Sequence, residues 1–447
     1  MSIPSNLKGL YAYHFTLLDN LESIIESGIL STNMKKDKAV SHKDIAEQGI
    51  QCRRSTMAVP CSNGKVVHDY VPFYFSKKTS MQLGVINKKN VDQPLIVYLA
   101  IPIEIIETKT GVVFSDASAN TDIPPTFFDS SDCKELSSLN WEAINSMKWG
   151  CPDEVYRHQK MAELLVPEMI QIDEIAHIVV WNEWVKGEVE KVFKKKGVTP
   201  PKIKYDRDHY FINFYDNGRQ SIVTGPLDLK QRMEETINGI CNKLGDKTKY
   251  HDIKITLESI ANNFSSIKEL DDINGLKASY GPHTDDVGVH SKKVANALSN
   301  YTEYKNLNDG DKDIVMLSAY LHDIGKGPKS RWTDSEMTKA DNDHAVKSLP
   351  MLKRILTEDI GSLDEESIRK IVMLVTYDDL IGDIVAKGRN EQQLFDIIES
   401  ENDLIMLVAL GKSDMSSINP IWVMINNNAI EALKVKAVES LGCGTSC

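Results

Sequence analysis

The sequence predicts an α+β domain followed by an all-α domain. In the first half, short β-branched or aromatic runs bounded by turn residues alternate with helical patterns, as expected of a mixed domain. From Leu227 onward, apolar residues instead recur at helical spacing. We therefore place the first domain at residues 1–215, a linker at 216–235 and the second domain at 236–447.

The composition is that of an ordinary globular protein. The chain has 447 residues, of which 41% are hydrophobic and 26% charged, enough for two or three domains with real cores. Its start lacks the basic and apolar regions of a signal peptide, and no run of ~18 apolar residues occurs. We expect a cytoplasmic protein without membrane contact. The net charge of −12 argues against wholesale coating of duplex DNA, because nonspecific affinity comes from neutralising phosphates.

Local signals predict the elements of the first domain in order. The segment Asp19–Gly28 is typical of a short helix, with its aspartate as N-cap and its glycine as stop. The polar segment Ser115–Lys134 is too long for a plain connection, and loops of that length are often functional. A lysine-rich helix ends before Thr199-Pro200-Pro201. The predicted strands are Tyr70–Ser76, Leu95–Ile103 and Ala176–Trp181.

The second domain is predicted from helical periodicity alone. Its apolar residues repeat every three or four positions, as on the buried face of a helix. The segments with this spacing are Ile253–Ile267, Val287–Leu298, Ile314–Leu321, Ile368–Val375 and Leu404–Leu410.

Histidines and aspartates beside these helices follow the order H…HD…D. They are His290, the pair His322-Asp323, and Asp414. Their nitrogen and oxygen atoms suit a divalent transition metal or magnesium, which can lower the pKa of a bound water and polarise a phosphoryl oxygen. The pattern resembles the HD superfamily, in which several phosphohydrolases carry a further histidine for a second metal or the substrate phosphate, here His344. The resemblance implies a metal-dependent phosphohydrolase. It leaves the substrate open, because the superfamily includes nucleotidases, phosphodiesterases and inactive binding modules.

Glu163 stands out in the first domain because its neighbours are apolar. It lies in Gln159-Lys160-Met161-Ala162-Glu163-Leu164-Leu165-Val166, where a buried charge is costly without a task or a partner. From the residues alone, a structural carboxylate and a catalytic one are both open.

A series of short motifs runs through the first domain. They are Tyr13-His14-Phe15-Thr16, Arg53-Arg54, Val67-His68-Asp69-Tyr70-Val71-Pro72-Phe73-Tyr74-Phe75-Ser76, Leu139-Asn140-Trp141-Glu142-Ala143-Ile144 and Ala162-Glu163-Leu164-Leu165-Val166. In order and spacing they resemble the DarT family of DNA ADP-ribosyltransferase toxins, over about Leu10 to Tyr215. The resemblance implies an ADP-ribosyltransferase-like domain with a split β-sheet core. It also implies transfer of ADP-ribose from NAD to a base of single-stranded DNA, with RNA as a possible acceptor.

The resemblance also implies the site residues. Breaking the bond from ribose to nicotinamide passes through an oxocarbenium-like cation, so the site needs a nearby carboxylate and donors that fix the pyrophosphate. The implied catalytic residues are Arg54, with Arg53 as the close alternative, and Glu163. The predicted cofactor-binding residues are His14, Thr16, Arg53 and Tyr74.

The segment Ser115–Trp149 takes the place of the family's substrate-recognition loop. An unpaired or flipped base suits this chemistry, because ring nitrogens are hidden within a duplex. Candidate stacking surfaces are Trp141, Trp149, Tyr70 and Tyr74, although aromatic residues in such places are more often core. The chain departs from the family pattern at Ser76–Met81, where a Pro-Arg-Ser-Pro-Met turn is common.

The fusion of the two domains leaves three roles open for the second. It could act on the transferase product and so limit toxicity, with or without a separate antitoxin or ADP-ribosyl hydrolase acting in trans. Alternatively, it could be the working nucleotide phosphohydrolase, with the first domain as a nucleic-acid or NAD sensor. The third possibility is a metal-bound scaffold.

Overall fold

The computed structural model describes the chain except for residues 1, 46–47, 121–123, 216–217, 244–247, 283 and 444–447. It divides into two compact units, Met1–Ile222 and Val223–Cys447. The first unit contains a large mixed sheet with helices, and the second is helical apart from one two-residue strand pair. The predicted α+β and all-α classes are confirmed. None of the helices in the described part of the chain is long and apolar enough to span a membrane.

The boundary between the units falls inside residues 216–235, the segment assigned to a linker. Most of that segment differs from the prediction, because the helix Pro226–Cys241 belongs to the second unit. Leu229, Met233 and Ile240 are buried in the second core. Their helical spacing forms one apolar face, and its burial extends the helical unit ahead of residue 236.

The first unit is built on an eight-stranded sheet. Its neighbouring strands are antiparallel except for the parallel pair His177–Val180 and Lys202–Tyr205. The three predicted strands are all present, each shorter than predicted by two residues. In spatial order the strands are Lys202–Tyr205, His177–Val180, Ile96–Pro102, Tyr11–Leu17, Tyr70–Tyr74, Glu163–Pro167, Val113–Ser115 and Phe127–Asp129.

The sheet splits next to its central strand. Tyr11–Leu17 pairs along its whole length with Ile96–Pro102. It meets Tyr70–Tyr74 on its other side at the residue pair Tyr13 and Tyr74. Beyond that point the two strands diverge, which opens space for a ligand between them. This is the predicted split β-sheet core.

Helices cover the sheet. The first begins later than predicted, because residues 18–20 form a 3₁₀ turn and Asn20, not Asp19, precedes the helix. Gly28 ends it with φ of 78°, and a Cβ there would lie 2.6 Å from the carbonyl oxygen of Ile170, so only glycine fits. The α-helices of this unit are Leu21–Ser27, Thr32–Asp37, Gln48–Thr56, Ser80–Asn87, Ile105–Thr108, Trp141–Asn145, Glu154–Lys160 and Glu183–Lys195. Two strand pairs lie outside the large sheet, Ile29–Leu30 with Met169–Ile170 and Ile212–Tyr215 with Gly218–Ser221.

The polar segment Ser115–Lys134 is more ordered than a plain loop. It contains the strand Phe127–Asp129 and enters the 3₁₀ helix Ser130–Ser138. The Phe128 ring stacks on Phe114 with centroids 5.0 Å apart, which anchors the strand to the sheet. The part near residue 120 therefore connects two fixed elements, with residues 121–123 outside the described part of the chain.

The second unit is an array of helices around one apolar core. All five segments predicted from periodicity are helical. Its longer α-helices are Pro226–Cys241, Ile253–Asn262, Val287–Ala297, Asp309–Leu321, His344–Arg354, Glu365–Thr376, Glu401–Ile418 and Pro420–Cys443. Shorter ones are Lys268–Ile273, Thr302–Lys305, Leu380–Gly382 and Gln392–Phe395, and the strands Lys277–Ala278 and Glu336–Met337 pair in parallel.

Candidate active sites

A cavity of about 430 Å³ lies beside the split in the first unit. It brings together four of the residues predicted for the NAD site, namely His14, Thr16, Arg54 and Tyr74. Lysine side chains add positive charge to its wall, as a pyrophosphate would require. These lysines, which the sequence analysis did not identify, are Lys35, Lys36 and Lys43.

His14 is held in one orientation across the split. Its Nδ1 lies 2.9 Å from the carbonyl oxygen of Pro72, which can only accept, so Nδ1 carries the ring proton. Burial lowers the pKa of His14 to about 4. The imidazole is therefore neutral near pH 7 and keeps a lone pair on Nε2.

Thr16 is positioned by Asn20, a residue missed at the sequence level. The Asn20 amide donates to Thr16 Oγ1 at 3.1 Å and to the carbonyl oxygen of Lys43 at 2.9 Å. The backbone N–H of Lys43 donates back to Asn20 Oδ1 at 2.7 Å. Asn20 thus ties the strand to the segment that forms the cavity rim. The signal available in the sequence was that Asn20 is polar although its spacing from the apolar helix residues predicts burial.

Arg54 and Glu163 form a buried, bidentate ion pair. The distances are 2.8 Å from Nη1 to Oε1 and 2.9 Å from Nη2 to Oε2. The backbone N–H of Ala119 also donates to Glu163 Oε1, at 2.9 Å. Glu163 is fully buried and lies behind Arg54, which itself lines the cavity. The negative charge of Glu163 therefore lies one side chain away from the cavity, and both of its carboxylate oxygens already accept hydrogen bonds.

Burial and the charge of Glu163 together determine the protonation of Arg54 and Tyr74. Burial alone would lower the pKa of Arg54, but the charge of Glu163 outweighs it and the net shift is upward. Burial, followed by the charge of Glu163, raises the pKa of Tyr74. The guanidinium is thus charged and the phenol neutral at any physiological pH.

Arg53 does not join these residues. It is exposed, and its Nε donates to the carbonyl oxygen of Asn120 at 3.0 Å. Successive side chains on a helix point about 100° apart, so only one of the two arginines can face the cavity. In the structure that residue is Arg54.

The two candidate stacking tryptophans have different environments. Trp141 packs edge-on against Phe75, and its indole N–H donates to the carbonyl oxygen of Leu136, so it belongs to the core. Trp149 is 43% exposed and contacts the edge of Phe211. Of the two, only Trp149 offers a surface to a base.

Acid should weaken the first unit through its buried histidines. The pKa values of His14, His68 and His177 are lowered from 6.5 to about 4, in each case first by burial. The unfolded chain therefore takes up protons first as the pH falls, and their contribution to stability, complete above pH 6.5, is lost between 6.5 and 4. We expect the urea midpoint of unfolding to fall across this window. A constant midpoint would contradict the buried, neutral state of these rings.

The four H…HD…D residues of the second unit converge. His290 Nε2 lies 2.8 Å from Asp414 Oδ1 and 3.9 Å from Asp323 Oδ2. His322 Nε2 lies 3.4 Å from Asp323 Oδ2 and 3.8 Å from Asp414 Oδ1. Three separate elements supply these side chains, although up to 124 positions separate them in the chain.

His344 lies on the other side of Asp323. Its Nε2 is 3.9 Å from Asp323 Oδ1, 3.3 Å from Asp378 Oδ2 and 3.8 Å from Asp379 Oδ2. The two additional aspartates were missed at the sequence level, because an adjacent pair at a helix end has no distinctive spacing. Asp323 thus lies between a histidine-rich group and a carboxylate-rich group.

These side chains fit a metal ion. The His322 Nδ1 donates to the carbonyl oxygen of Ala319 at 2.8 Å, which directs the Nε2 lone pair toward the carboxylates. Among the described residues, buried His322 Nε2 and Asp378 Oδ1 have no hydrogen-bond partner, as expected of atoms that bind a cation. Three groups place one donor atom per residue within 4.8 Å of one another: His290, His322 and Asp414; His322, Asp323 and Asp378; and His344, Asp378 and Asp379.

Even without a metal, the charged groups of this cluster interact strongly with one another. Burial alone would lower the pKa of His322, but Asp323 and Asp414 raise it to about 10. Lys326 donates to Asp323 at 2.7 Å and also lines a small surface pocket of about 40 Å³ together with Tyr280 and His290. A phosphate group entering this pocket would meet both the lysine and the metal-binding side chains.

The fold and the two sites define a two-domain enzyme, with a transferase-type unit followed by an HD-type helical unit. The family description "ssDNA thymidine ADP-ribosyltransferase, DarT" matches residues 13–212, and "HD domain" matches residues 287–398. The chain belongs to the DarT family, in which it resembles a DNA ADP-ribosyl transferase of Thermus sp. (strain 2.9). That relative is 31% identical over 205 residues, which cover 44% of this chain and 95% of the relative.

Other relatives match the same unit. The DNA ADP-ribosyl transferase of Thermus aquaticus is 26% identical over 205 residues, covering 44% of this chain and 88% of its own length. The solved structure of Thermus sp. 2.9 DarT in complex with ADP-ribosylated ssDNA has 30% identity and a TM-score of 0.41, and covers 47% of this chain and 99% of its own. The same Thermus protein in complex with NAD⁺ has 28% identity and a TM-score of 0.39, over 47% and 100% of the two chains.

Proposed function

We propose that the first unit transfers ADP-ribose from NAD to a thymidine of single-stranded DNA, and that the HD unit hydrolyses a phosphoester with a bound divalent metal. The observation that carries the transferase proposal is the buried Arg54–Glu163 pair at the wall of a cavity of about 430 Å³. Membership of the DarT family supports both the donor and the acceptor.

The reaction needs three changes, two at the ribose carbon C1″ and one at the base nitrogen. The bond from ribose C1″ to the nicotinamide nitrogen breaks, and its electron pair leaves with nicotinamide. A bond forms from C1″ to a nitrogen of the base, and that nitrogen loses its proton. In a thymidine of DNA, N3 is the one ring nitrogen that carries a proton, so it is the nitrogen expected to react.

Each cavity residue has a part in this sequence. The negative charge of Glu163 stabilises the cationic ribose through a short, buried path. Arg54 uses one N–H of each terminal nitrogen on Glu163, and its Nη1 also donates to the carbonyl oxygen of Ala119 at 3.4 Å. The second N–H of Nη2 can then bind phosphate or the base oxygen. His14, Thr16 and Tyr74 hold the nicotinamide-ribose end.

Mass spectrometry of an oligonucleotide panel tests the transferase. Single-stranded DNA with one thymidine is expected to gain one ADP-ribosyl unit in the presence of NAD. Matched strands without thymidine, the duplex form and RNA with uridine serve as comparisons. An unmodified thymidine strand, with NAD intact and the protein folded, would overturn the proposal.

Arg53 supplies an internal comparison for the neighbouring arginine. Because Arg53 is exposed and does not line the cavity, Arg53→Ala is expected to change the modification rate less than about threefold, as for a surface substitution. Arg54→Ala should remove nearly all activity. Initial rates on the thymidine strand would measure both. Equal losses would contradict the assignment of the catalytic role to Arg54.

In the HD unit, the residues that would hold a metal are His290, His322, Asp323 and Asp414, with His344 beside them. The metal, when bound, would supply an activated water and polarise a phosphoryl oxygen. Lys326, on Asp323, would meet a phosphate oxygen in the adjoining pocket.

Two substrates separate the roles of the HD unit. Pre-modified DNA with Mn²⁺ or Mg²⁺ tests removal or trimming of the adduct, and a panel of free nucleotides tests a nucleotide phosphohydrolase. Loss of adduct mass would support a self-limiting toxin. Unchanged adduct together with nucleotide hydrolysis would make the HD unit a phosphohydrolase of free nucleotides and exclude it from reversal of the modification. Metal binding without any hydrolysis would overturn the phosphohydrolase proposal.

A further inference from the structure

His68 is a cavity residue without a part in the mechanism so far. It lies in the 3₁₀ turn Val67–Asp69 that precedes the strand Tyr70–Tyr74, lines the same cavity as Arg54, and is only 3% exposed. Among the described residues, its Nδ1 has no hydrogen-bond partner. A buried polar atom without a partner in a ligand cavity is an unexplained cost unless the ligand supplies the partner.

Gln51 determines which nitrogen of His68 is available. His68 Nε2 lies 3.0 Å from Gln51 Oε1, and an amide oxygen can only accept a hydrogen bond. The ring proton is therefore on Nε2, and Nδ1 keeps its lone pair. Gln51 lies one helical turn before Arg54, so one helix orients both the imidazole and the guanidinium.

The surrounding charges keep the ring neutral. Burial, followed by the positive charges of Arg54, Lys36 and Lys35, lowers the pKa of His68 to about 4, against the opposing effect of Asp69. At neutral pH Nδ1 is thus an acceptor, suited to a ligand N–H or O–H.

We propose that His68 Nδ1 accepts the N–H of the base that is modified and takes its proton as the bond to ribose forms. This inference rests on the proposed transferase function and adds a catalytic residue to it. The N3–H bond breaks and its proton moves to Nδ1. The electron pair of that bond forms the bond from N3 to C1″, and nicotinamide leaves with the electrons of the glycosidic bond.

Glu163 is less well placed for this proton. Both of its oxygens accept hydrogen bonds from Arg54, and one also accepts from Ala119. The carboxylate lies behind the guanidinium and does not line the cavity. His68 Nδ1 is buried, unpaired and adjacent to the arginine that is expected to orient the base. The base nitrogen becomes strongly acidic as it bonds to the cationic ribose, so a weak base is sufficient.

His68→Phe tests the proposal, because it keeps a flat ring and removes the acceptor. The transfer rate to a saturating thymidine strand is expected to fall about 100-fold, as for loss of a general base. The dissociation constant of NAD, from calorimetry, should stay within about twofold, below the effect of one lost hydrogen bond. His177→Phe, at a buried histidine outside the cavity, is the matched control and should transfer normally.

The outcomes distinguish whether the hydrogen bond to His68 Nδ1 is donated by the base or by NAD. If NAD binding weakens at least tenfold while transfer at saturating NAD is normal, the donor belongs to NAD and the proposal is overturned. Normal transfer with normal NAD binding also overturns it but leaves the transferase function intact. If the wild type binds NAD and modifies no strand, the transferase function fails first.

Gln51→Glu provides a second test that does not require removal of the ring. A carboxylate beside Nε2 would raise the pKa of His68 toward neutrality, so both nitrogens would carry protons at low pH. The transfer rate of this variant should fall below that of the wild type near pH 6 and recover as the pH rises. The same variant with His68→Phe should lose this pH-dependent limb, and an unchanged limb would contradict the proton-acceptor role.

Discussion

Glu163→Gln is expected to reduce DNA modification by about 10²- to 10³-fold, the usual effect of removing one preorganised electrostatic group from an active site. The glutamine retains the shape and one acceptor oxygen but removes the charge that faces the cationic ribose through Arg54. It also leaves the buried guanidinium uncompensated, which costs about 3–5 kcal/mol for broken buried pairs. Mass spectrometry of the thymidine strand measures activity, and thermal unfolding measures the loss of stability.

Glu168→Gln is the matched control. Glu168 follows the same strand, and its side chain is 63% exposed with a 3.7 Å contact to Lys65. This variant should retain wild-type activity and stability. A folded Glu163→Gln protein that modifies DNA at the wild-type rate would contradict the catalytic role of the pair.

Asp323→Asn is expected to remove most of the metal from the HD unit and its hydrolytic activity with it. Asp323 is fully buried and lies within 3.9 Å of His290, His322 and His344, so it contacts both donor groups. Loss of a ligand should weaken metal binding by more than about 100-fold, the upper range for outer partners of a site. Elemental analysis after dialysis and a nucleotide hydrolysis assay measure the two effects.

Asp309→Asn serves as the control for this substitution. Asp309 begins the helix that leads to His322, and its side chain is fully exposed. Added Mn²⁺ should raise the melting temperature of the wild type and of this control by mass action, and have little effect on Asp323→Asn. Equal metal content in all three proteins would exclude Asp323 as a ligand.

Secondary structure is most predictable from this sequence where residue patterns decide which side chains are buried. The helices of the second unit follow from apolar spacing, because each buries one continuous face. The central strands of the first follow from β-branched and aromatic runs, because strands such as Ile96–Pro102 and His177–Val180 are buried on both faces. The predicted linker extends too far along the chain. The helix that buries Leu229 and Met233 begins ten residues before the predicted start of the second domain. The start of the first helix also shifted from Asp19 to Asn20, because residues 18–20 form a 3₁₀ turn, and the Asn20 side chain bonds to Thr16 and does not cap the helix.

The sites were predictable only where a motif carried them. The ordered histidines and aspartates and the Arg-Arg pair are visible in the sequence, but the choice of Arg54 over Arg53 depends on which side of one helix faces the cavity. Asp378 and Asp379 reach His344 through tertiary packing alone. The tautomer of His68 depends on Gln51, which is 17 positions away, and no local pattern reveals that contact.

The hydrogen bond from the backbone of Ala119 to Glu163 has a mechanical consequence. The same short stretch carries Asn120, on the cavity wall, and leads into the segment expected to grip the nucleic acid. Any displacement of this stretch would therefore change a hydrogen bond to the Glu163 carboxylate. A DNA strand that displaced the stretch on binding would alter the carboxylate behind the NAD ribose, and by linkage NAD would then alter the affinity for the strand.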